Sequence, residues 1–73
     1  MAEPVGVRVG DEGIRLGQFL KLANAVDQGS DAKALLAGGF VRVNGEVEKR
    51  RGRQLVVGDV VQLAGSSYVV TNG

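Results

Sequence analysis

Lys49-Arg50-Arg51-Gly52-Arg53 is the densest charged run in the sequence, four cations in five residues around a glycine. Such a run suits phosphate. Each guanidinium presents a planar fork of donors that matches phosphate oxygens, and a glycine lets the backbone come close to a ligand. Arg15, Lys21, Lys33 and Arg42 extend the same charge through the middle of the chain. From residue 15 to residue 53 eight cations face four carboxylates, a net +4; the remainder carries only Arg8 against Glu3, Asp11, Glu12 and Asp59, a net −3. The total of +1 therefore conceals an electrically two-sided molecule. A segment of that sign steers a polyanion toward itself while acidic flanks limit non-specific sticking.

The same inventory excludes most catalysis. Histidine and cysteine are both absent, which removes the commonest general base, the thiolate nucleophile, zinc-finger chemistry and any disulfide framework. Carboxylates are scattered and not paired at metal-ligand spacing, so a magnesium site is not expected. Gly38-Gly39 belongs to neither a P-loop nor a dinucleotide fingerprint. Lys21 and Lys33 would need burial to act as a catalytic pair, and both fall on polar helix sides. The sequence thus points away from an enzyme and toward a binding protein without cofactor or metal.

The elements that must position these cations follow from periodicity. With 73 residues the chain forms one domain, whose core supplies only about 3–5 kcal/mol. Val5, Val7 and Val9 alternate with polar or glycine positions, as in a half-buried strand, and Asp11-Glu12-Gly13 turns the chain. From Ile14 the period becomes helical: Leu16, Phe19, Leu20, Ala23 and Val26 share a face, and Gly29 ends this helix. Ser30 caps a second helix, with Asp31 at its positive end; Ala32, Leu35 and Leu36 form its apolar stripe, and Gly38-Gly39 stops it. Nine of the thirteen valines lie beyond residue 40, in β territory.

Phe40 to Val43 and Glu46 to Lys49 flank the hairpin dipeptide Asn44-Gly45. A two-residue loop sets Val43 opposite Glu46 and Val41 opposite Glu48, leaving Val47 on the other face. Either a bulge at Gly45 returns Val47 to the core or Val47 is partly exposed. Gly58-Asp59 turns into a strand through Val61 and Leu63, Gly65-Ser66-Ser67 turns again, and Tyr68 to Val70 is the final strand. The expected fold is α+β: two short helices on one side of a small, mostly antiparallel sheet of about five strands. Leu16, Phe19, Leu20, Leu35, Leu36, Val41 and Val43 are its expected core, with Phe40 also wanted there. The longest apolar run, Ala34 to Ala37, is far too short to span a bilayer. Met1 to Pro4 does not resemble a signal peptide, so the expected location is cytoplasmic.

Four blocks now carry a resemblance. Arg15-Leu16-Gly17-Gln18-Phe19-Leu20-Lys21, Ser30-Asp31-Ala32-Lys33-Ala34-Leu35-Leu36, Gly39-Phe40-Val41-Arg42-Val43-Asn44-Gly45 and Val57-Gly58-Asp59-Val60-Val61 resemble, in order, the RNA-binding domain of ribosomal small-subunit protein S-four, the αL RNA-binding motif. The likeness covers about residues 14–63, and within the family the chain is most similar to short stand-alone bacterial proteins. What the resemblance implies is a helix pair and adjoining loops that dock on structured RNA, ribosomal or transfer RNA, in the service of translation. Arg15 and Lys21 on the first helix, Lys33 on the second and Arg42 on the next strand match basic, RNA-facing family positions. Arg50, Arg51 and Arg53, with Lys49, lie where the family is commonly polar or basic. Gly29 stands where the family often has an arginine, a loss for which the Lys49 to Arg53 cluster compensates.

The functional expectation is a non-enzymatic RNA-binding domain spanning residues 1–73 and working as a monomer through phosphate and 2′-hydroxyl contacts. Base stacking ranks second, because the aromatics are Phe19, Phe40 and Tyr68 alone and both phenylalanines are assigned to the core. A protein-interaction module, offering its basic surface to an acidic partner or a sheet edge to an extended one, is the alternative.

Overall fold

Alternating valines and two short amphipathic segments produce the expected layers. The computed structural model describes residues 4–10, 12–26, 29–63 and 65–72, for 29–31 the backbone alone. In chain order the elements are β1 (Val5–Arg8), β2 (Ile14–Arg15), α1 (Leu16–Leu22), α2 (Gly29–Ala37), β3 (Val41–Val43), β4 (Glu46–Val47), β5 (Gln54–Leu55), β6 (Val60–Leu63) and β7 (Ser66–Thr71). Five strands form one sheet in the order β1-β7-β6-β3-β4, and β2 and β5 pair as a separate antiparallel ribbon. Within the large sheet β1 and β7 run parallel, and the other pairings are antiparallel.

One face of the sheet is apolar because the strand period puts Val7, Val70, Val61, Leu63, Val41 and Val43 on the same side. Leu16, Phe19, Leu20 and Leu36 from the helices and Leu55 from β5 complete the core with them. Phe19 meets the half-buried Tyr68 edge-on, ring centroids 6.4 Å apart, a favourable aromatic geometry. No helix among the described residues is long and apolar enough to cross a membrane.

Both helices end the same way. At α1, Asn24 adopts φ +57°, its N–H donates to the Lys21 carbonyl, and the Ala25 N–H donates to that of Leu20. At α2, Gly39 takes φ +77°, with Gly39 N–H on Leu36 and Phe40 N–H on Leu35. These paired bonds define Schellman stops. The Gly38-Gly39 stop is as expected, but α1 ends at Leu22 and not near Gly29, because asparagine tolerates the left-handed conformation and closes the helix nearly two turns earlier. Val26 is buried all the same, carried to the core by the connecting segment. The second helix already includes Gly29 and Ser30. Ser30 therefore lies inside the helix and not at its N-cap as expected; the side chains of Ser30 and Asp31, and the part of Asp11 in the first turn, lie outside the described residues.

The hairpin resolves without a bulge. Val43 pairs with Glu46 and Arg42 with Val47, so Val47 is 47% exposed. The Glu48 N–H donates to the Val41 carbonyl at 3.0 Å, which carries the Glu48 side chain to the core side, where the residue is only 7% exposed. The turn is locked from outside: the Asn44 side chain accepts from the Val60 N–H at 3.0 Å and donates to Asp59 Oδ1 at 3.1 Å. Asp59 Oδ2 in turn accepts from the Val56 N–H at 3.0 Å. Asn44 and Asp59 therefore do structural work, joining β3 to the loop before β6.

One expected core residue is not there. Phe40 is 65% exposed. It precedes the buried Val41, so the two-residue strand period turns it to the same side as Arg42, away from the core, with its ring over Gly38 at the end of α2.

Candidate functional site

The first turn of a helix has free N–H groups that need acceptors, and in this chain the basic loop supplies them. The Leu16 N–H donates to the Arg53 carbonyl at 2.8 Å and the Gly17 N–H to the Arg51 carbonyl at 3.0 Å. Arg15, held in register by the β2–β5 ribbon opposite Gln54, donates from its guanidinium to the Gly52 carbonyl at 2.9 Å. Gln18 accepts from the Arg15 N–H at 3.4 Å. A loop distant in sequence is thus bonded to the start of α1 through its backbone.

Gly17 decides where one of them goes. A Cβ at this position would overlap Arg51 Cγ and lie 3.1 Å from Cδ, so the Arg51 stem crosses the helix where only a glycine leaves room. The result is an open groove lined by Arg15, Gly17, Gln18, Lys21, Ala32, Arg51 and Gly52. Three cations line it and no described lining residue is acidic. Among the described residues, the only ion pairs are elsewhere, at Glu48.

Glu48 organises the rest of the loop. Its Oε1 lies 3.0 Å from Arg50 Nη2 and 3.2 Å from Arg53 Nη1, and Oε2 accepts from the Arg50 N–H and Nε, each at 3.3 Å. The hydrogen bonds from the Arg50 side chain are the main reason that the carboxyl is held down at about 2; burial opposes them, and the Arg50 N–H and Arg53 side chain add to them. The same carboxylate pushes the Arg50 guanidinium up from its ordinary value. Arg50 and Arg53 are thereby partly neutralised, and they fix the loop that presents Arg51.

The eight cations expected to contact a ligand do not form one patch. Arg15, Lys21 and Arg51 meet in the groove. Lys33 is exposed on α2, next in sequence to the groove residue Ala32. Arg50 and Arg53 flank the groove with their charge shared by Glu48. Arg42 and Lys49 are exposed on the sheet side of the molecule: Arg42 points away from the buried Val41 and Val43, and Lys49 Cε comes within 3.8 Å of where a Cβ would sit on Gly39. The sequence reading missed the roles of Gly17 and Glu48. Glu48 had a signal, the misfit in the hairpin alternation; Gly17 had none, since nothing local says which distant stem will cross it. Among the described residues no three carboxylates cluster as a metal site would need.

The fold that carries this groove has counterparts among known proteins. The family model described as the S4 domain matches residues 7–71. The chain belongs to the S4 domain family. This S4 match reaches beyond residues 14–63 at both ends and takes in most of the β1–β7 pair. The chain is 48% identical over 73 residues to the "Probable ribosome maturation protein RlbA" of Bacillus subtilis (strain 168), covering 99% of this chain and 100% of that protein. It is 39% identical over 57 residues to YbcJ of Escherichia coli (strain K12), covering 78% and 81% of the two chains. The solution structure of E. coli YbcJ, described as revealing an alphaL motif involved in RNA-binding, superposes with a TM-score of 0.72 at 34% identity, covering 96% of this chain and 90% of that one. The crystal structure of the 30S ribosomal protein S4e from Thermoplasma acidophilum shares 27% identity with a TM-score of 0.61. That match covers 81% of this S4 domain and 31% of the larger protein.

Proposed function

We propose that this S4 domain protein binds helical segments of folded ribosomal RNA and acts by binding alone, as a cytoplasmic monomer taking part in ribosome maturation. The observation that carries the reading is the groove at the start of α1, where Arg15, Lys21 and Arg51 converge without a described carboxylate. The deep narrow groove of an RNA duplex hides its bases, so a protein recognises it through phosphates and 2′-hydroxyls. Guanidinium forks held by backbone bonds, as Arg15 is by the Gly52 carbonyl, suit that contact. Lys33 widens the positive surface along α2, while Arg50 and Arg53 serve chiefly to shape the loop. The full-length similarity to RlbA favours ribosomal over transfer RNA.

Salt titration tests it. Neutralised phosphates release counterions, so three groove contacts give a log affinity against log salt slope of about −2.5 on an RNA duplex. Arg51→Ala should reduce the slope by about one and leave the melting midpoint nearly unchanged, because the loop is held through the Arg51 carbonyl and not its guanidinium. A flat salt profile, or Arg51→Ala binding as tightly as wild type, refutes the reading. Competition with transfer RNA as effective as with a ribosomal RNA fragment refutes the preference for ribosomal RNA.

A further inference from the structure

The face of the sheet turned away from the helices carries its own chemistry. Strand register places Arg42 and Val47 directly opposite each other on it, with Gln62 beside Arg42 on the next strand. Phe40 lies two residues before Arg42, and Lys49 two residues after Val47. All four of Phe40, Arg42, Val47 and Lys49 are exposed. The carboxylates nearest in sequence fall elsewhere: Glu48 is buried under the loop, and Glu46 pairs opposite Val43, on the other face.

Phe40 is exposed, with one edge of its ring against the chain. Its Cε2 and Cδ2 lie only 2.6 and 2.8 Å from where a Cβ would sit on Gly38, so one edge of the ring rests on bare glycine backbone. Beside it, Val47 Cγ1 and Lys49 Cε reach within 3.7 and 3.8 Å of the corresponding point on Gly39. An exposed aromatic ring with cations at neighbouring register positions suits unpaired nucleotides, because every base has a π face and every link a phosphate. A duplex cannot use the ring, since its bases are already stacked and enclosed.

Resting on the reading of the protein as RNA-binding, we propose that this outer face is a second RNA site that takes an unpaired nucleotide, its base stacked on Phe40 and its flanking phosphates held by Arg42 and Lys49. The α1 groove would then hold duplex and the sheet face a single strand.

Fluorescence anisotropy with two labelled probes, a twelve-nucleotide single-stranded RNA and a blunt-ended RNA duplex, separates the sites. Phe40→Ala should weaken single-strand binding about tenfold or more and leave duplex binding within about twofold, with circular dichroism unchanged because the ring is mostly in water. Phe40→Trp should bind the single strand at least as well as wild type, and Phe40→Leu should be as weak as Phe40→Ala, since a leucine keeps apolar area but cannot stack. Arg51→Ala should do the reverse, weakening duplex binding alone. Wild-type protein that ignores the single strand, Phe40→Ala that binds it normally, or Phe40→Leu that restores it overturns the inference, leaving this face to a protein partner. None of these results touches the groove reading, which fails instead on unchanged duplex affinity in Arg51→Ala.

Discussion

Replacing Glu48 with glutamine keeps the shape of the side chain and removes the charge that holds Arg50 and Arg53. The carboxyl titrates at about 2 in place of 4.5, and at 1.36 kcal/mol per pH unit that difference corresponds to about 3 kcal/mol of stability. The Arg50 side chain is 78% exposed, however, and water screens its half of the pairing, so about 1–2 kcal/mol is the expected loss. In a domain of this size such a loss lowers the melting midpoint by roughly 5–15 °C. Because the folded-state value is depressed, the contribution is complete above about pH 4.5, the ordinary carboxyl value, and disappears as pH falls toward 2. Thermal melts of wild type and Glu48→Gln at a series of pH values from 7 to 2 should show curves that are well apart at neutral pH and converge in acid. A gap that stays constant across the series would show that the charge is not what Glu48 contributes. No gap at neutral pH would mean that the arginines find equivalent partners in water.

Two further outcomes check the packing. Gly17→Ala gains up to about 1 kcal/mol of helix propensity but puts a methyl where the Arg51 stem lies, so RNA-duplex affinity should drop about as far as in Arg51→Ala while the melting midpoint moves little; unchanged affinity would show that the stem is free to lie elsewhere. Leu36→Ala opens a cavity at a side chain that is 1% exposed, at a cost of roughly 2–5 kcal/mol that matches the whole stability of so small a domain, so its circular dichroism at 25 °C should be that of an unfolded chain.

Local chemistry made the layers legible, and through-space chemistry made the site. The burial of Val7 and Val9, the Leu16, Phe19 and Leu20 part of the first helical stripe, the second stripe, the Gly39 stop and the Asn44-Gly45 turn each depend on a few adjacent residues, and each is present in the fold. The early end of α1 was also written locally, in Asn24, but as a residue that stops a helix less often than glycine does. Phe40 shows two rules in conflict: its bulk argued for the core, its place one residue from Val41 argued for the surface, and the strand period won. The register of the hairpin pointed to Glu48 on the core side, where a carboxylate reads as an error until its partners are known, and those partners come from the loop beyond. The groove is the least legible part. Arg15 and Arg51 meet because free N–H groups of a helix took acceptors from a loop some 35 residues away, which no periodicity announces.

The parallel pairing of β1 with β7 has a consequence in time. Val5 is registered with Tyr68 and Arg8 with Thr71, so the contacts that close this edge join residues separated by 63 positions. The remaining four strands of the large sheet are linked through antiparallel pairs of much shorter range, and they can assemble with the helices before that loop closes. Long closures cost entropy before any contact rewards them. During synthesis the strand that emerges first must therefore wait for the one that emerges last. Until then β7 presents an open edge, with Val70 uncovered on one side by its neighbour Val7, and an unpaired edge of this kind is where a growing chain is most apt to join another.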